Sequence, residues 1–167
     1  MLLNPSFIAL KRTQNKGQMS PDSPLRVVFT FPPRYKELDT KFKVRGRPIV
    51  FTFGNTIHNP GRIKIAQELM VHETVHSRRQ GEDVDGWWSS YIADPAFRLC
   101  EEMPAHIAEY AAVCRHFSEH RAQQRMLHRI AMRISGPLYG AMVEYREARA
   151  RIEGGALSLL QSTDTAW

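Results

Sequence analysis

The run His72-Glu73-Thr74-Val75-His76 carries the side chains best suited to chemistry in this chain. If the segment is helical, positions i and i+4 project from one face, so both imidazoles can reach a single Zn2+. Glu73 is rotated from them by one residue, close enough to orient and deprotonate a zinc-bound water. His72 and His76 are therefore candidate metal ligands, and Glu73 is a candidate catalytic base. The bland alternative is a helix whose histidines are merely polar or satisfied within the core.

Two histidines do not complete such a site, because catalytic zinc usually takes three protein ligands and keeps one open position. A third histidine in the continuation HExxHxxGxxH is absent: Arg79 stands at the glycine position and Glu82 at the last one. Downstream, Glu101-Glu102-Met103-Pro104-Ala105-His106 offers carboxylates and an imidazole. Glu102, Glu101 and His106 are the candidates for the third ligand. Pro104 removes a helical hydrogen bond, so the segment either bends around the site or ends near Glu102 and restarts.

A glutamate ligand from a following helix is the arrangement of the gluzincins, the thermolysin-like metallopeptidases. From strand 49–53 to about Tyr110 the chain resembles the small HExxH metallopeptidase-like proteins of bacteria and their phages. The landmarks are HETVH, Trp88, Tyr91, Asp94-Pro95, Phe97-Arg98, and Glu102 followed by Ala105. The resemblance implies a zincin-like fold, with His72, His76 and Glu102 holding zinc and Glu73 as base. It also implies a strand beside the HExxH helix that binds substrate by edge pairing, for which Ile49–Phe53 and Thr56–His58 are candidates. His106 departs from the pattern, because many relatives carry Asp there. Donors for a developing oxyanion are sought among Tyr91, Tyr110, His106, His116 and His120, with packing or surface roles as the default for each.

The elements that must position these groups read as α+β: a small N-terminal antiparallel or mixed sheet packed on a helical core. Leu25–Phe31 and Ile49–Phe53 are β-branched and aromatic, and Thr56–His58 folds back across a Gly54-Asn55 turn. The basic stretch Lys36–Arg47 reads as a loop or short edge strand. Helical spacing then runs from Arg62 to Gln80 with Gly81 as its stop, followed by an acidic loop, Glu82–Gly86. Trp87 and Trp88 are expected to anchor that loop on the core. Asp94-Pro95 opens the next helix as N-cap and N1. Two more helices are expected, from about Ser118 to Ile134 and from about Leu138 to Glu153, the latter ended by Gly154-Gly155. An irregular arm (1–24), one domain (25–155) and a C-terminal tail (156–167) make up the expected organisation.

The chain has 167 residues, enough to bury a core without disulfides or metal. Cys100 and Cys114 form no CxxC pair and are expected as small buried helical thiols. No stretch has the length of a membrane span, and the N-terminus lacks the basic region of a signal peptide; the expected location is cytoplasmic or virion-associated. Lys plus Arg number 23 against 17 Asp plus Glu, a formal charge of +6. Arg121, Arg125, Arg129 and Arg133 recur every four residues, a solvated helix face by default and otherwise a surface for protein assembly. Nucleic acid is a weaker partner, since no aromatic interleaving accompanies these charges. The reading that follows is a zinc-dependent hydrolase, foremost a metallopeptidase acting on peptide or protein. The alternative is a non-enzymatic assembly or phage virion component that retains a metallopeptidase-like fold.

Overall fold

A computed structural model describes residues 25–164, which form six helices and a small mixed sheet. In chain order these are β1 (Arg26–Val28), α1 (Tyr35–Phe42), β2 (Phe51–Phe53), β3 (Thr56–His58) and α2 (Gln67–Gln80). They continue with α3 (Val84–Ala93), α4 (Pro95–His116), α5 (His120–Ile134) and α6 (Tyr145–Asp164). The expected arm, residues 1–24, lies outside the described residues.

The sheet order is β1-β3-β2, with β1 parallel and β2 antiparallel to β3. Gly54 turns the β2–β3 hairpin at φ 56°, a left-handed value that suits glycine. β3 is thus the central strand, paired on both sides, and Thr56–His58 has no free edge for a substrate. The outer side of β2 is partly taken as well. The Gln80 amide donates to Thr52 O at 2.8 Å and accepts from Gly54 N at 2.7 Å, locking the end of α2 onto the hairpin.

Several boundaries differ from those expected. The strand over Leu25–Phe31 shortens to Arg26–Val28, and the one over Ile49–Phe53 to Phe51–Phe53. The basic stretch holds a helix, α1, because Tyr35, Leu38 and Phe42 recur at helical steps between lysines that stay in water. Arg34 ties its start to α3, donating to Asp85 O at 3.0 Å and Ser89 Oγ at 2.8 Å. α2 begins at Gln67 instead of Arg62. The Asn59 side chain closes a loop on Ile63 through bonds of 2.8 and 3.0 Å, which competes with a helical start there. The acidic loop is shorter than expected, because Asp83 caps α3 by accepting from Gly86 N, so Gly86 and both tryptophans are helical.

α4 opens as expected, Asp94 accepting from Ala96 N with Pro95 at N1, and then runs through Pro104 without a break. α6 starts seven residues later than expected, at Tyr145, and passes through Gly154-Gly155 to Asp164. Gly155 marks close helix packing, not a stop: a Cβ there would lie 2.6 Å from Ile107 Cδ1 on α4. Cys100 is exposed and Cys114 half-buried, so the expected pair of buried thiols is not found.

Two apolar clusters flank the HExxH helix. One joins α4, α5 and α6 through residues such as Met103, Val113, Leu127, Ile130, Ile134 and Ile152. The other joins α1, β2 and α3 through Leu38, Val44, Phe51, Trp87, Trp88 and Tyr91. Ile152 is fully buried, whereas Leu157, five residues on in the same helix, is 53% exposed. Ile152→Ala should therefore cost about 2–5 kcal/mol in urea unfolding. Leu157→Ala should change stability by no more than about 0.5 kcal/mol.

Candidate metal centre

The helical period brings His72, Glu73 and His76 of α2 against Glu102, His106 and Glu109 of α4, all of them buried. His72 Nε2 lies 3.0 Å from His76 Nε2 and 3.6 Å from Glu102 Oε2. His76 Nε2 is 3.5 Å from Glu102 Oε1, and His106 Nε2 is 3.4 Å from Glu102 Oε2. One donor atom each from His72, Glu102 and His106 falls within 4.8 Å of the others. The structure thus brings together the four residues singled out in the sequence, with His106 beside them.

Glu101 is turned away from this cluster. Its carboxylate holds Arg79 in a two-pronged pair, at 2.7 Å from Nε and 2.8 Å from Nη2, and accepts from Trp87 Nε1 at 3.0 Å. One residue along a helix is a rotation of about 100°, which suffices to send adjacent glutamates to different partners.

Glu109 is not among the sequence candidates, and Arg133 is there only as a member of a basic helix face. Glu109 Oε2 accepts from His72 Nδ1 at 3.1 Å and from His106 Nδ1 at 3.0 Å, while Arg133 Nη2 reaches both its oxygens at 2.5 Å. Glu102, His106 and Glu109 follow the i, i+4, i+7 spacing of one helix face, a signal present in the sequence. Arg133 was hidden in the row of four arginines. It is turned toward α4, whereas Arg121, Arg125 and Arg129 are exposed.

Burial and neighbours set the charge states. Burial works to raise the carboxyl of Glu109, but bonds from His106 and His72, with Arg133 beside it, hold it well below the usual carboxylate range. Burial likewise opposes ionisation of Glu102, and the imidazoles of His76, His72 and His106 outweigh it, again keeping the carboxyl low. Burial pushes His72 down to about 4, with neighbouring His106 adding to the shift, so the ring is neutral near pH 7. For His76 burial lowers the value, but the adjacent Glu102 carboxylate wins and raises it.

Glu73 faces the β2 side, where Thr52 Oγ1 donates to its Oε2 at 2.7 Å. Burial pushes its carboxyl up to about 7, the range in which a carboxylate exchanges protons readily at neutral pH. A pocket of about 80 Å³ leads to Glu73 and the histidines between apolar walls that include Leu38, Phe42, Phe51, Trp88 and Leu138. Trp87 and Trp88 are buried as core anchors, although what they fasten is the helix α3 and not a loop, and both line this pocket.

Among the expected oxyanion donors, Tyr91 is committed to Glu102, to which its hydroxyl donates. Tyr110 lies in the core between α4, α5 and α6, and His116 and His120 are exposed. Tyr139, in the segment between α5 and α6, lines the pocket instead. Burial and the Glu102 charge hold its hydroxyl well above 10, so it keeps its proton. No periodic element carries Tyr139, so sequence spacing gave it no signal.

The role of Glu101 is separable from that of Glu102. Glu101→Ala leaves the buried Trp87 N–H without its acceptor and should cost about 1–3 kcal/mol in urea unfolding. Glu101→Gln, which still accepts that bond, should lose clearly less, since Arg79 is half-exposed and water screens the charge pair. No protein-family model, curated protein or solved structure matches this chain, and the chemistry of the site is read from its own geometry.

Proposed function

We propose that this protein is a zinc-dependent hydrolase, most simply a metallopeptidase, with His72, His76 and Glu102 holding the metal. The observation that carries the proposal is the convergence of their donor atoms at separations of 3.0, 3.6 and 3.5 Å. Ligands about 2.0–2.2 Å from one tetrahedral centre stand about 3.3–3.6 Å from each other. Each imidazole meets that spacing to one of the two Glu102 oxygens, and the two imidazoles, 3.0 Å apart, have to part by about a few tenths of an ångström to admit such an ion. Glu102 Oε2 is buried and finds no hydrogen-bond partner among the described residues, which is costly unless a cation compensates. When bound, zinc polarises a carbonyl and makes water acidic enough to yield a nucleophile near neutral pH.

The chain's own residues supply the rest. Glu73 takes a proton on its carboxylate and, with a value of about 7, can release it to a leaving amine. Thr52 holds one of its oxygens, leaving the other to face the substrate. Tyr139 Oη donates toward negative charge developing on the substrate oxygen. Glu109 fixes the His72 ring so that Nε2 carries the lone pair. The pocket has room for one apolar side chain rather than a folded segment, which favours an extended chain with a hydrophobic residue beside the cleaved bond.

Zinc-loaded protein should cleave an unfolded protein substrate, and chelation should abolish this reversibly. Glu73→Gln should retain about one zinc per chain by metal analysis yet lose at least about 100-fold in rate. His76→Ala should lose the zinc itself. Tyr139→Phe should lower kcat more than it changes KM, with zinc content unchanged. Zinc bound at full occupancy without turnover would overturn the hydrolase proposal and favour the non-catalytic assembly role. No zinc after reconstitution would overturn both.

A further inference from the structure

The hydrogen bonds around His106 point beyond a supporting role. Its ring is fully buried, and Nδ1 lies 3.0 Å from Glu109 Oε2. Glu109 is held by Arg133 on both oxygens, so it is an ionised acceptor and the Nδ1 atom of His106 must carry the donated proton. Its Nε2 then presents a lone pair.

That lone pair faces Glu102 Oε2 at 3.4 Å, and neither atom has a hydrogen-bond partner among the described residues. Two acceptors confronting each other in a buried position repel. The tautomer of His72 is set in the same way: its Nδ1 is bound by the same Glu109 oxygen at 3.1 Å, and its Nε2 points into the cluster, where His76 Nε2 lies 3.0 Å away. One carboxylate therefore sets two rings in the same tautomer, both with basic nitrogens aimed at Glu102. A cation between them converts the repulsion into coordination.

We infer that His106 is itself a metal donor, so that the protein presents three imidazoles and one carboxylate to a single divalent transition ion. This rests on the metal reading above and deepens it; with four protein donors, water or a substrate oxygen would need a fifth position, a number that catalytic zinc reaches. Three nitrogen donors favour zinc, cobalt, nickel or iron over calcium and magnesium, which take oxygen ligands. The competing arrangement is a doubly protonated His106 clamped between Glu102 and Glu109, which would touch no metal.

The test is X-ray absorption on the full chain reconstituted with zinc, counting imidazoles from their multiple-scattering pattern. Three in the wild type and two in His106→Ala are expected. Chelator competition should show the affinity of His106→Ala reduced by more than about 100-fold. Glu109→Gln, which only orients the rings, should stay within about 10–100-fold. Two imidazoles in the wild type would overturn the role of His106 and leave the zinc proposal standing. Absence of any bound metal would overturn both. If His106→Ala fails to fold, the wild-type count decides alone.

Discussion

The carboxylate of Glu109 is the constraint around which the rest of the site is arranged. It receives His72 from α2, His106 from its own helix α4 and Arg133 from α5, and so ties three helices through one buried anion. Burying that charge costs several kcal/mol unless it is fully partnered. Its partners are therefore held at fixed positions, and through them the facing nitrogens of the two rings. Removing a single participant would leave a buried charge or an unpaired N–H, so the members of the network hold their geometry as a unit.

The packing outside the network keeps these helices in register. α4 is the common wall, contacting α2 on one side and the α5–α6 layer on the other, and its glycine-mediated approach to α6 at Ile107 sets that spacing. On the far side, Gln80 fastens α2 to β2, which brings Thr52 opposite Glu73. Glu101 and Trp87 join α4 to α3, and the aromatic cluster behind them shapes the pocket. The apolar residues that stabilise the α1–β2–α3 region are thus the same ones that limit what reaches Glu73. Fold and access are not independent here.

Much of this was legible in the sequence where one element alone determines the outcome. The i, i+4 relation of His72 and His76, the Asp94-Pro95 start and the Gly54 turn are local, and each is found as expected. The start of α2 was less legible, because an Asn59 side-chain loop onto Ile63 takes the place of the first helical turn. Gly154-Gly155 misled because a glycine read in isolation signals a stop, whereas its partner Ile107 lies 48 positions away in the chain. The distinction between Glu101 and Glu102 likewise needs the positions of Arg79 and His72, which no spacing within α4 supplies. Tyr139 needs the path of an irregular segment.

Arg133 shows how a pattern can be seen and still be read for the wrong partner. A step of four residues advances a helix by about 400°, leaving about 40° of rotation at each repeat. Over the three steps from Arg121 the row has turned by about 120°, from open solvent toward α4. Arg121, Arg125 and Arg129 remain exposed, but the fourth side chain reaches Glu109. The basic excess of +6 is therefore not all surface charge. One of its members neutralises the anion that orients the histidines, so an arginine row that suggests a docking face also contributes, at its last position, to the candidate metal centre.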